Sequence, residues 1–263
     1  MMADEVVFRL AAANCAGAYR TWAARLGRRT EFANDLSCAD LELPVSLPPN
    51  NATLLREPKG GTTGDLLGRI AAFFVERSGG PYQIWSLWPI PSLIDAGNRG
   101  EPVPCMVRDA GGPSPAPPSE LSIVEADDQT TVRDAEALID EVFGARSAPG
   151  SLLTLECLDE HFRVWVGYVG DRPVTTSTAY VDDAFVGVYA VATAPGARGR
   201  GYGEAITWAA TLSRPDLPAT LQASDMGRPV YTRMGYRTVT EFTVWDRDRQ
   251  PRGDSSRGEP TSS

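Results

Sequence analysis

Lysine and histidine are almost missing from this chain. Its 263 residues include one histidine, His161, and one lysine, Lys59, so the remaining basic residues are arginines. A lone histidine argues against a zinc site or a Ser-His-Asp triad, and no metal is expected. A lone lysine excludes any mechanism that needs a catalytic lysine elsewhere. Cysteine is sparse too. Cys15, Cys38, Cys105 and Cys157 lie far apart with no CxxC spacing, which reads as free thiols in a reducing compartment. No apolar run approaches the roughly 18 residues of a membrane span. The opening "MMADEVVFRL" has no basic region followed by an apolar core, so a soluble, cytoplasmic protein is expected. Positive charge is also in deficit, with 25 basic against 34 acidic residues and a net charge of −9. Nucleic acid and anionic membranes attract basic surfaces, so neither is expected as a partner. A cationic substrate such as an amine suits the field.

What is present is a globular composition. At 42% hydrophobic residues, the chain can bury a core in one large domain or two ordinary ones. The stretch "GGPSPAPPSE", 111–120, is too rich in proline for helix or sheet interiors and reads as an extended linker. This divides the chain into an N-terminal domain (1–112), a linker (113–120) and a C-terminal domain (121–248). The tail, 249–263, is nearly devoid of apolar residues and is expected to be disordered.

The C-terminal part reads as mixed α and β. "LSIVEA" is a strand, and "TTVRDAEALIDEVFG" puts Val132, Ala135, Ile139 and Val142 on one helical stripe that stops at Gly144. A short helix is expected near Leu152–Leu158. Three strands follow in "FRVWVGYVGDRPVTTSTAYVDDAFVGVYAVAT", joined as antiparallel hairpins at Gly170-Asp171 and Asp182-Asp183. A helix from about Gly201 ends before Arg214-Pro215. The strand "ATLQAS", the short helix "GRPVYTRMG" and the strand "YRTVTEFTVWD" complete this part. The N-terminal part opens with a helix over about Val6–Leu26. An irregular stretch precedes the strand "NATLLRE", the helix "GDLLGRIAAFFVERSG", the strand "YQIWSLWPI", a short helix and the strand "VPCMVRD". The same strand–helix–strand–helix–strand order recurs from Phe185 to Asp246, without a residue-level repeat.

The segment "GVYAVATAPGARGRGYGEAITWAA", 187–210, turns from an apolar strand to a helix through glycines and arginines. A dinucleotide G-x-G-x-x-G fails because Glu204 or Ile206 stands where the third glycine belongs. A Walker P-loop fails for want of lysine. The residues suit an anion cradle. Glycines let the backbone approach a ligand, the helix start offers unpaired N–H groups, and Arg198 and Arg200 add charge-assisted contacts.

Arg198-Gly199-Arg200-Gly201-Tyr202-Gly203 is R-x-x-G-x-G, which resembles the pyrophosphate loop of the GCN5-related N-acetyltransferase (GNAT) family. Downstream, "LQASDMGRPVYTRMGYRTV" resembles that family's fifth strand and the tyrosine-bearing helix after it. The likeness covers about Leu121 to Asp246. It implies an α+β fold, with a mixed, mostly antiparallel sheet flanked by helices beside a second, smaller α/β N-terminal half. It further implies acetyl-CoA as co-substrate, with its pyrophosphate on the N–H groups from Gly199 to Gly203. The pantetheine arm would pair with the backbone at Val191 and Thr193 as an added strand. The implied reaction is direct attack of a small-molecule amine on the thioester in a ternary complex. Backbone donation near Val191 would serve the oxyanion, and Tyr231 would act as general acid. The general base has no clear candidate. Phe185, Gly187 and Tyr189 fill the strand face where many relatives carry a carboxylate, and Glu156 and Asp225 could act only through water. His161 is expected at the start of a strand. Two alternatives stay open: another acyl-CoA or carrier-bound donor, and a non-catalytic CoA-binding regulatory module. The N-terminal half resembles a degenerate repeat. In "REPKGGTTGD", with Arg56 aligned, Lys59 takes the first glycine position and only Gly61 fits, so no cofactor is expected there. The oligomeric state, a homodimer included, is left open.

Overall fold

In the computed structural model, residues 4–59, 63–75 and 80–247 are described. The chain runs α1 (Asp4–Arg25), β1 (Arg29–Phe32), β2 (Leu36–Asp40), β3 (Asn51–Leu54), α2 (Thr63–Val75), β4 (Tyr82–Ser86), α3 (Pro91–Asp95) and β5 (Glu101–Arg108). It continues with β6 (Leu121–Glu125), α4 (Gln129–Phe143), β7 (Phe162–Val169), β8 (Arg172–Val181), β9 (Val186–Thr193), α5 (Tyr202–Thr211), β10 (Ala219–Gln222), α6 (Arg228–Arg233) and β11 (Arg237–Arg247). Short 3-10 turns cover Leu155–Cys157 and Pro195–Ala197. The expected elements are present. The segment near Leu152–Leu158 is the first of those 3-10 turns, and the stretch read as irregular after α1 holds the β1–β2 hairpin. The end of the helix after Val75, Gly61 and the tail lie outside the described residues.

All the strands share one sheet, in the order β1-β2-β3-β4-β11-β5-β10-β9-β8-β7-β6. Among the described residues, only β3–β4 and β9–β10 pair in parallel, so the sheet is mixed and mostly antiparallel. The two halves are interleaved. β11, the last strand, lies between β4 and β5, and β5 in turn lies between β11 and β10.

Alternation along the strands gives the sheet two faces. Trp85, Cys105, Val107, Tyr189, Phe242 and Val244 belong to the core under α1 and α4. On the opposite face, Leu54, Ile84 and Trp245 pack with Ile70, Phe73 and Phe74 of α2. Further along that face, Met106, Val186 and Leu221 pack with Ile206 of α5. Asp128 starts α4 by accepting the N–H groups of Thr130 and Thr131 at 2.7 and 2.8 Å, a cap worth about 1 kcal/mol. Buried Glu136 of the same helix accepts the N–H groups of Gly150 (2.6 Å) and Leu152 (2.7 Å), which pins the following loop to the core. The four cysteines are buried free thiols. Among the described residues, no helix is long and apolar enough to cross a membrane.

Candidate active site

The parallel pairing of β9 with β10 ends after two residue pairs, Val186 with Ala219 and Gly187 with Thr220. Beyond Gly187 the strands part. A bulge on the other side of β9 sets Ala190 and Val191 opposite Ser177, and Ala190 takes a left-handed φ of 49°. From Val188 onward β9 therefore offers backbone without a ladder partner on its β10 side. The gap opens into a cavity of about 370 Å³. Residues from both faces of the sheet line it, including Tyr19 and Trp22 of α1 and Tyr231 of α6.

The glycine-rich turn follows β9. Gly201 is the residue before α5, with φ 81°, a left-handed conformation that disfavours side chains, and no side chain among the described residues caps the helix. The first helical bond runs from the N–H of Ala205 to the carbonyl of Gly201. Among the described residues, the main-chain N–H groups of Gly199, Arg200, Gly201, Tyr202 and Gly203 donate to no protein acceptor. Unpaired donors at a helix start, carrying its partial positive charge, make a site for an anion. The arginines are engaged nearby. Arg198 Nε donates to the Thr193 carbonyl at 3.2 Å. Arg200 stands beside Glu120 and Tyr202, and the Tyr202 hydroxyl donates to Glu120 at 2.9 Å. Glu120 is held below the usual carboxylate range by its own backbone N–H and then by Tyr202. The Thr193 hydroxyl shares a 2.9 Å bond with Thr175, and its side chain does not line the cavity.

Val191 and Tyr231 do line the cavity together. The Tyr231 hydroxyl has no protein partner among the described residues, and burial pushes its pKa up to about 12. Tyr189 edges the same cavity, but its hydroxyl is committed, donating to Asn14 Oδ1 at 2.6 Å. Gly187 makes room for this contact, since a Cβ there would meet Asn14 Oδ1 at 2.0 Å. Phe185 is buried in the core. Glu156 and Asp225 are exposed and do not line the cavity, and His161 lies just before β7 with Nδ1 at 3.1 Å from the Val181 carbonyl. Among the described residues, no three His, Cys, Asp or Glu side chains gather as metal ligands would. Sequence reading missed the acidic side chains on the cavity wall, Glu101 of β5 and Asp246 of β11. It also missed Asn14, whose partner is distant in sequence. Strand order brings Glu101 and Asp246 to one cavity, α1 brings Asn14 to Tyr189, and no local motif marks them.

No model of a known protein family matches the sequence, and no curated protein matches it. Solved structures do resemble it. A GCN5-related N-acetyltransferase from Kribbella flavida superposes with a TM-score of 0.64 at 16% identity, over 90% of this chain and 96% of that one. A GCN5-related N-acetyltransferase from Sphaerobacter thermophilus gives a TM-score of 0.57 at 15% identity, over 76% and 73%. A tandem GNAT protein from the clavulanic acid biosynthesis pathway gives 0.50 at 11% identity, over 77% and 76%.

Proposed function

Taking a GNAT-like fold across most of the chain as premise, we propose that the protein is an acetyl-CoA-dependent N-acetyltransferase acting on a small-molecule amine. The observation that carries this reading is the row of unpaired N–H groups from Gly199 to Gly203 beside the parted strands β9 and β10. A pyrophosphate suits that row without lysine or metal, and the left-handed Gly201 keeps side-chain bulk away from it. Arg198 and Arg200 would add charge. The unladdered β9 backbone at Val191 and Thr193 would take the extended arm of the cofactor as a further strand. Bound acetyl-CoA supplies an activated acetyl thioester.

The chain's own groups then have separable tasks. The backbone at Val191 donates a hydrogen bond where negative charge develops. Tyr231 holds a proton on Oη and can release it to a leaving thiolate. A phenol carries that proton at neutral pH, and burial disfavours its loss further.

A second reading has one observation in its favour. Neither carboxylate nor imidazole stands on the β9 face, and the tyrosine there is tied to Asn14. A CoA-binding regulatory module, or an enzyme using another acyl donor, would share the fold and the cradle. Release of free CoA from acetyl-CoA on adding a panel of amines separates the two. The acetyltransferase reading expects thiol release with matching acetylated product, while a binder releases none.

A further inference from the structure

The cavity wall identifies a class of acceptor. Most of its lining is aliphatic or aromatic, and its only charged side chains among the described residues are Glu101 and Asp246. Among the described residues, no arginine, lysine or histidine faces it. Register puts both carboxylates on one side of the sheet. Glu101 pairs with Val244 across β5 and β11, and Asp246 lies two residues beyond Val244 on β11. Asp246 pairs with Gln83 of β4, and Trp85 sits two residues along that strand. The carboxylates are not both used up in holding the fold. Ser46 (2.6 Å) and Gln83 (2.9 Å) both donate to Oδ1 of Asp246, so Oδ2 has no protein partner among the described residues. Among the described residues, the Glu101 carboxylate makes no hydrogen bond or ion pair either. The aromatic walls are fixed as well. Trp22 donates its indole N–H to the Leu152 carbonyl, and Trp85 donates to Gln83 at 2.9 Å.

We propose that the acceptor is an amine on an apolar or aromatic body, free of any carboxylate, with its cationic character recognised by Glu101 and Asp246. This rests on the acetyltransferase reading above. Two carboxylates with no compensating cation attract an ammonium group and repel an acidic one. Aromatic rings beside them favour a cation and supply apolar contact. An amino acid would have to bring its α-carboxylate into the cavity without a cationic partner, which is costly. At about 370 Å³ the cavity falls in the range of small-ligand sites. Much of its wall comes from the N-terminal half, through Tyr19, Trp22, Leu47, Trp85, Glu101 and Val103, which gives that half a task in acceptor selection.

Matched probes test this. Phenethylamine and tryptamine are compared with phenylalanine and tryptophan, which add only a carboxylate. Binding is measured by calorimetry with CoA present, and kcat/KM by CoA release. The proposal expects the amines to be favoured by about tenfold or more, a gap of about 1.4 kcal/mol. Glu101→Gln combined with Asp246→Asn should shrink that preference several-fold. Glu101→Gln alone, at an exposed position, should shrink it in part with an unchanged Tm. Equal binding of the amino acids, no binding of any amine, or a preference untouched by both variants would overturn the proposal. Preferential amine binding without CoA release would remove the acetyltransferase reading and leave the ligand class standing.

Discussion

Tyr189 of β9 donates its hydroxyl to Oδ1 of Asn14 in α1 at 2.6 Å, joining the strand that edges the cavity to the helix that covers it. Asn14 in turn donates to Asp182 Oδ2 at 2.8 Å, so one buried amide serves both partners. Burial raises the pKa of the Tyr189 phenol well above its ordinary value. Asn14→Ala strands that hydroxyl without an acceptor, and a buried unsatisfied group costs about 1–3 kcal/mol. Chemical denaturation should show a lower midpoint with an unchanged slope. An unaltered midpoint would mean that the contact contributes nothing. Gly187→Ala should be at least as damaging, because its Cβ would press on both members of the pair.

Much of the C-terminal half was legible in the sequence, for local reasons. Turn pairs at Gly170-Asp171 and Asp182-Asp183, apolar alternation and the R-x-x-G-x-G motif each leave a short-range mark. The β1–β2 hairpin left none. Leu36–Asp40 is buried at every position, so it lacks an in–out alternation, while Arg29–Phe32 is half exposed. The lodging of β11 between β4 and β5 was not legible either, since strand order follows from packing between distant segments. For the same reason the cradle could be read from residues 198–203, but Asn14, Glu101 and Asp246 could not be read as neighbours of the site.

Tyr231→Phe keeps the ring that fills the space beside Gly227 and removes only the proton. Acetyl-CoA affinity should change little, and turnover should fall by roughly 10²–10⁴-fold, the range for one positioned acid. Full turnover in the variant would remove Tyr231 from the mechanism.

The pKa of Tyr231 gives a separate test. Its folded value, about 12, lies above the ordinary 10.0, because burial favours the neutral phenol. Its contribution to stability is therefore complete below pH 10 and is lost as pH rises from there through about 12. Over that window the wild type should lose more stability than Tyr231→Phe, measured as ΔTm against pH. Parallel curves would show that the phenol is not desolvated in the fold.

Stoichiometry tests the difference between the halves. The segment after β3 lacks R-x-x-G-x-G, so titration should saturate at one acetyl-CoA per chain. Saturation at two equivalent sites would show that the N-terminal half also binds the cofactor.

The central claim is that the N–H groups from Gly199 to Gly203 hold the cofactor, and calorimetry on wild type and Gly201→Val tests it most directly. A Cβ at Gly201 would have only Pro118 within reach, at an ordinary 3.6 Å. Any loss of stability then comes from the left-handed φ of 81°, about 1–2 kcal/mol, which Tm reports separately. A cofactor held there should bind the wild type measurably and lose at least about tenfold in affinity for the folded variant. Equal affinity in the two proteins would contradict it.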